Sequence, residues 1–222
     1  MSDLPAIAIV GGTGAEGSGL AVRWARAGYR VILGSRSAER AADKAAGLAE
    51  HGTVEGAANA DAAARADIVV VTVPFAAQRQ TMTDIADAAR GKIVIDVTVP
   101  LVPPRVARVQ LPPEGSAAAI AQEILGAETR VVSAFQNVAA DHLADPGYEL
   151  DCDVLVCGNS KDARAEAVGL IEAAGLRGIE AGPLDNAVAA EALTSVLIWI
   201  NRRYESPGSG IRITGLPEGG AD

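Results

Sequence analysis

Short apolar runs and amphipathic stretches alternate along the first half of the chain. Residues 6–10 read Ala-Ile-Ala-Ile-Val, an unbroken apolar run of strand length without polar alternation. Such a run suits a strand buried on both faces, as in a parallel sheet, and a parallel sheet requires a crossover helix next. Leu20, Trp24 and Ala27 recur at helical spacing, Arg23 and Arg26 fall on the outward side, and Gly28 supplies a stop, so a helix is predicted over 14–27. Arg30-Val31-Ile32-Leu33-Gly34 predicts a second strand, and Ser37 then caps an Ala-rich helix reaching to about Glu50.

A second set follows. The pattern predicts a short helix over 59–65, a strand over 67–73 around Ile68-Val69-Val70-Val71, a break at Pro74, an amphipathic helix to Ala89 and a strand over 92–96. Between 97 and 115, Pro100, Pro103, Pro104, Pro112 and Pro113 block regular structure, which predicts a long connection of the kind that often carries function. Strand patterns resume at 130–134 and 154–156, with helices expected over 116–125, 161–174 and 184–203. The order predicts an α/β fold, a doubly wound parallel sheet over residues 1–180, followed by a small C-terminal helical segment over 181–222.

Within that segment, Ala192-Leu193-Thr194-Ser195-Val196-Leu197-Ile198-Trp199-Ile200 is apolar nearly all round. Burial against a second copy of the chain is one reading, and packing on its own subunit is the other.

Composition narrows the partners. With 19 Lys+Arg against 28 Asp+Glu, the 222 residues carry a net charge of −9, the wrong sign for phosphate backbones or anionic lipid, so no nucleic-acid or membrane partner is expected. Apolar runs fall short of the roughly 18 to 20 residues of a membrane span, and the start of the chain has no basic leader, which predicts a cytoplasmic protein. Aromatics make up only 3%, so the core must be built from small and β-branched residues. Cys152 and Cys157 fall on opposite faces if 153–158 is a strand, which disfavours a disulfide or a metal clip and leaves two buried thiols.

The chemistry sits at strand ends. Gly12-x-Gly14-x-x-Gly17 directly follows the first strand and opens the first helix. Gly12 permits the tight turn, Gly14 lets backbone approach a pyrophosphate, and Gly17 allows close helix–strand packing beside free N-terminal amides, which marks a Rossmann-type dinucleotide site. Dinucleotide units that take NAD usually place a carboxylate at the end of the second strand, whereas this chain has Gly34-Ser35-Arg36, with Arg40 one helical turn on. Arg36 and Arg40 can pair with a 2′-phosphate and Ser35 can offer its hydroxyl, so NADP(H) is expected. Pro74 and Phe75 end the strand beside the dinucleotide, and 96–101 is placed to pass near the nicotinamide.

Only His51 and His142 occur, and neither a Ser-His-Asp nor a Cys-His arrangement nor a metal-ligand spacing can be assembled, so no catalytic side chain is assigned and no metal is expected. Hydride transfer between stacked rings, which needs positioning and exclusion of water, suits such a site.

The motifs Gly11-Gly12-Thr13-Gly14, Gly34-Ser35-Arg36, Ser116-Ala117-Ala118, Val132-Ser133-Ala134-Phe135, Val156-Cys157-Gly158, Ala181-Gly182-Pro183-Leu184, Glu191-Ala192-Leu193-Thr194 and Gly210-Ile211-Arg212 run in order over almost the whole chain. In these the sequence resembles the NADPH-dependent reductases of coenzyme F420, the 8-hydroxy-5-deazaflavin hydride carrier. The resemblance implies reversible hydride transfer between NADP(H) and F420, with the rings stacked in a cleft between the nucleotide domain and the C-terminal segment, in a cytoplasmic homodimer. It assigns Thr13, Ser35, Arg36 and Arg40 to the NADP 2′-phosphate, puts Pro74 near the cofactor, and points to Pro100, Ala134, Gln136 and Asn137 on the deazaflavin side. Where some members read His-Thr, this chain reads Gln136-Asn137. Gln136 can hydrogen-bond a ring carbonyl but does not titrate near neutral pH.

Two other functions fit the nucleotide motif. An NADP-dependent reductase of a small imine or carbonyl would need a proton donor for the product heteroatom, with Lys92 or Tyr148 to consider. A non-enzymatic NADP-binding redox sensor would signal through the terminal helix.

Overall fold

The computed structural model describes residues 4–216. In chain order the elements are β1 (Ile7–Val10), α1 (Ala15–Arg26), β2 (Val31–Ser35), α2 (Ala38–Ala46), β3 (Val54–Ala58), α3 (Asn59–Arg65), β4 (Ile68–Val71) and α4 (Phe75–Ala89). There follow β5 (Ile93–Asp96), α5 (Ala117–Leu125), β6 (Arg130–Ser133), α6 (Ala140–Ala144), β7 (Asp153–Gly158), α7 (Lys161–Ala173), β8 (Arg177–Glu180) and α8 (Ala187–Tyr204). The strands form one eight-stranded sheet in the order β3-β2-β1-β4-β5-β6-β7-β8. Strand order therefore reverses direction between β1 and β4, and the crevice above their carboxyl ends is where a doubly wound sheet binds its ligand.

Period-two alternation divides the core. Ile7 and Ile9 of β1 face one layer, with Leu20, Trp24, Leu170 and Ile171 from α1 and α7. Ala8 and Val10 face the other, with Ala62, Met82, Ile85 and Ala118 from α3, α4 and α5. Both faces are covered, which is why the strand sequences show unbroken apolar runs. Cys152 and Cys157 are free and buried, one in each layer. Among the described residues, no helix is long and apolar enough to cross a membrane.

Several features differ from the pattern reading. Arg23 is buried at 9% exposure rather than turned outward, while Ala27 is exposed. The Arg23 guanidinium donates to the carbonyls of Leu143, His142, Asp145, Tyr148 and Ala174. An arginine can be buried when each N–H finds an acceptor, and here the acceptors come from segments distant in sequence. The strands β3 (Val-Glu-Gly-Ala-Ala) and β8 (Arg-Gly-Ile-Glu) are edge strands with polar, half-exposed residues, so they lack the apolar run that marks the central strands.

The sheet is parallel except that β7 runs antiparallel to β6. The connection between β6 and β7 therefore leaves and returns at the carboxyl edge: between the two, residues 140–148 pack along α1 as far as Arg23 in its last turn, and β7 begins four residues beyond the Ser133–Cys157 pair, out over that edge. α8 climbs to the same edge. Its Thr194 hydroxyl donates to the carbonyl of Gln136, and its Ser195 hydroxyl reaches the carbonyl of Arg108 in the Pro-rich connection.

Candidate functional site

The Gly-rich loop is shaped by what surrounds it. Gly11 has φ +74°, and a Cβ there would lie 2.4 Å from Val73 Cγ1. Gly12 N donates to the carbonyl of Gly34 at 3.0 Å, tying the end of β1 to β2. A Cβ on Gly17 would meet Gly12 Cα at 2.6 Å and Thr72 Oγ1 at 2.7 Å, so close helix–strand packing requires glycine there. Gly14 differs: a Cβ would find nothing nearer than the Gly11 carbonyl at 3.9 Å. The space over Gly14 opens to solvent, as a cradle for a phosphate group requires.

The amides support the same use. Ser37, Ser116 and Ser160 each cap their helix through a side-chain oxygen, whereas α1, like α3, α4, α6 and α8, begins without a side-chain cap, at Gly14. Its first-turn N–H groups and the positive end of its dipole point at the crevice. Glu16 is half-buried in this turn, and desolvation pushes its carboxyl up to about 8.

One loop contact was not expected from sequence. The first residue of α3 is Asn59, whose Oδ1 accepts the Gly11 N–H at 3.2 Å and lies 2.9 Å from where a Cβ of Gly34 would sit. An Asn opening a helix after a weak edge strand reads from sequence as a simple helix start, and only the β1-β2-β3 pairing brings it to the loop.

At the end of β2, Ser35 is buried and its Oγ accepts the Ser37 N–H, whereas Arg36 and Arg40 are exposed and, among the described residues, form no ion pair. Thr13 is half-buried in the loop beside them. The structure thus brings Gly12, Thr13, Gly14, Gly17, Ser35, Arg36 and Arg40 to one side of the crevice. Pro74 occupies the N-cap position of α4, with the half-buried Phe75 as its first residue, across the β1–β4 switch.

Ala134, Gln136 and Asn137 lie together at the end of β6, farther along the same edge, and all three are buried, as is Pro100. Between them Phe135 adopts φ +73°, a conformation that L-residues rarely take, and its ring packs edge-on against Trp24 at 6.0 Å. With Phe135 turned into the core, Gln136 Nε2 donates to the Asp96 carbonyl at 2.7 Å and Asn137 Nδ2 to the Asp153 carbonyl at 2.7 Å. The amide oxygens of both remain without a partner. These are buried acceptors that a ring N–H could satisfy.

Below this segment the Asp96 carboxyl is fully buried and accepts from Gln78 Nε2 at 2.6 Å and from Thr98 N at 3.1 Å. Burial pushes it up to about 6, against the pull of those donors. Lys92 is engaged by the carbonyls of Ala63 and Ala64 in α3, and the ring of the exposed Tyr148 stacks on His142 at 4.2 Å.

A dinucleotide-binding oxidoreductase fold, with Arg36 rather than a carboxylate just past the end of β2, is what these elements define. Residues 6–100 match the family described as NADP oxidoreductase, coenzyme F420-dependent. The chain is 45% identical to the F420-dependent NADP reductase of Methanothermobacter thermautotrophicus, over 96% of each chain. It is 40% identical to that of Methanocaldococcus jannaschii, over 95% of this chain and 98% of the relative. A solved structure of a candidate F420-dependent NADP reductase from Arthrobacter sp. FB24 matches with a TM-score of 0.84 and 28% identity, over 96% of this chain and 100% of that one. The chain belongs to the F420-dependent NADP oxidoreductase family.

Proposed function

We infer that this protein transfers a hydride reversibly between NADP(H) and coenzyme F420. The observation that carries the NADP half is the junction of the uncapped α1 N-terminus with Ser35-Arg36, which puts free amides and an unpaired guanidinium where a pyrophosphate and a 2′-phosphate would lie. When bound, the nicotinamide gives or takes the hydride. Thr13, Ser35, Arg36 and Arg40 hold the phosphate end, Gly12, Gly14 and Gly17 admit the pyrophosphate, and Pro74 and Phe75 border the ring.

The deazaflavin half of the site is formed by Pro100, Ala134, Gln136 and Asn137, closed by residues 181–222, of which 217–222 lie outside the described residues. Support comes from the hydrogen bonds that hold Gln136, just past β6, at the strand ends and from the climb of α8 to that edge. Residues there orient the ring and exclude water, and no side chain need take covalent part. Val196 and Trp199 on α8 are about half exposed, at 45% and 54%, which supports a homodimer through this helix. The two free buried thiols suit a reducing cytoplasm.

The test is an absorbance assay with oxidised F420 and either NADPH or NADH. Bleaching of the deazaflavin band with NADPH, and far less with NADH, is expected. Binding of NADPH without bleaching would overturn the reading in favour of an imine reductase or a redox sensor.

A further inference from the structure

Five separated parts of the chain close into one ring of hydrogen bonds beneath the end of β6. Gln78 of α4 donates from Nε2 to the Asp96 carboxyl at 2.6 Å and to the Ala117 carbonyl at 2.8 Å. The N–H groups of Ala117 and Ala118 donate to Glu191 Oε2 and Oε1 at 2.6 and 3.0 Å. One turn further along α8, Thr194 donates to the Gln136 carbonyl at 2.7 Å, and Gln136 Nε2 returns to the Asp96 carbonyl at 2.7 Å. Gln78 and Asp96 are fully buried and Glu191 is 1% exposed.

Glu191 stands out because an apolar residue would dock α8 at lower cost. A buried carboxyl loses its hydration, and burial indeed raises Glu191 to about 8. What it gains is direction. The first three N–H groups of α5 are divided between its own Ser116, which caps Ala119, and Glu191 from 74 residues away, which takes Ala117 and Ala118. Only one rotation and one height of α8 put two carboxyl oxygens on two adjacent amides. That setting also brings Thr194 to Gln136.

We propose that Glu191 and Gln78 are positioning residues for the F420 half of the reaction: through the ring they set the register of α8 and of residues 134–137, without touching either ligand. This rests on the reading that F420 lies along that edge. The phosphate end of the NADP half, which carries most of the nucleotide's contacts proposed above, is framed separately, by β1, β2, α1 and Asn59, and stands outside the ring.

The experiment compares wild type with Glu191→Gln, Gln78→Met, the double variant and Leu125→Ala. Leu125 is the last residue of α5, buried two turns from Ala117 and outside both halves of the site, so its truncation loosens core packing while leaving the ring intact. The readouts are melting temperature, Kd for NADPH, calorimetric Kd for F420 on the NADP-loaded protein, and kcat. Gln at 191 offers one acceptor and one donor to two N–H donors, so it opens the ring with little change of volume. Glu191→Gln and Gln78→Met should each weaken F420 binding or lower kcat by roughly tenfold or more, with NADPH Kd within about twofold. The double variant should lose no more than the worse single one, because the ring is already open.

Leu125→Ala should leave F420 binding and kcat within about twofold even where its melting temperature falls further. The proposal is overturned if both single variants keep wild-type F420 kinetics, if NADPH and F420 affinities fall together in step with melting temperature, or if the two single losses multiply. Should Glu191→Gln fail to fold, Gln78→Met with Leu125→Ala decides on the same criteria. Failure of the wild type to bleach F420 would instead remove the functional reading itself, before any variant is compared.

Discussion

The side-chain oxygen of Asn59 accepts the N–H of Gly11, 48 residues earlier, and so pins the one nucleotide-loop glycine that has a positive φ. The bond joins the start of α3 to the turn after β1 across the whole width of β2. Replacing Asn59 with Ala removes an acceptor from a partly buried N–H, a loss of about 1 kcal/mol. NADPH Kd should rise roughly fivefold, while kcat at saturating NADPH and F420 stays near wild type. Titration of NADPH by fluorescence or calorimetry checks this, and an unchanged Kd would mean that the loop holds its shape without Asn59.

Arg36 is exposed and forms no ion pair among the described residues, so its guanidinium is available to a phosphate. Arg36→Ala should weaken NADPH by roughly tenfold to a hundredfold and NADH hardly at all, because only the former presents the phosphate. Equal losses for both nucleotides would contradict this assignment.

Arg23 gathers the carbonyls of the 142–148 segment and the end of α7 around one buried guanidinium. Burial lowers its pKa, and Asp145 opposes the shift. Arg23→Met leaves those carbonyls unpartnered and should cost about 3 kcal/mol in chemical denaturation. Arg23→Lys should recover only part of that, since a single ammonium cannot reach acceptors spread around a planar fork. Full rescue by Lys would show that charge, not the fork, is what the fold requires.

Asp96 gives the fold a pH dependence of definite sign. Its carboxyl titrates at an ordinary 3.8 when exposed and at about 6 when buried. The folded state therefore holds its proton longer. The stabilising contribution is complete below about pH 4 and is lost as the pH rises through about 6. Glu191, raised from 4.5 to about 8, extends the decline in the same direction. Unfolding free energy measured from pH 4 to 8 should fall for the wild type, and Asp96→Asn should flatten the lower part of that fall, by on the order of 1–3 kcal/mol.

The nucleotide half of this protein is legible from residues that are neighbours in sequence. The central strands betray themselves as unbroken apolar runs because both their faces are buried, and the Gly-rich turn, the serine caps and Ser35-Arg36 act within a few residues of where they stand. Their chemistry is local, so their spacing already carries it.

What only the tertiary structure decided rests on contacts between distant segments. Nothing in the spacing of Arg23 reveals that five carbonyls await it; helical periodicity turned it outward, whereas packing of 142–148 over α1 drew it in. The edge strands β3 and β8 form because a neighbouring strand offers its open side, not because their own residues favour extension. The antiparallel turn of β7, the pin from Asn59 to Gly11 and the ring through Gln78 and Glu191 are likewise settled by the partner's position. A hydrogen bond depends on where two groups meet, and for groups 48 to 74 residues apart that place exists only once the sheet has formed.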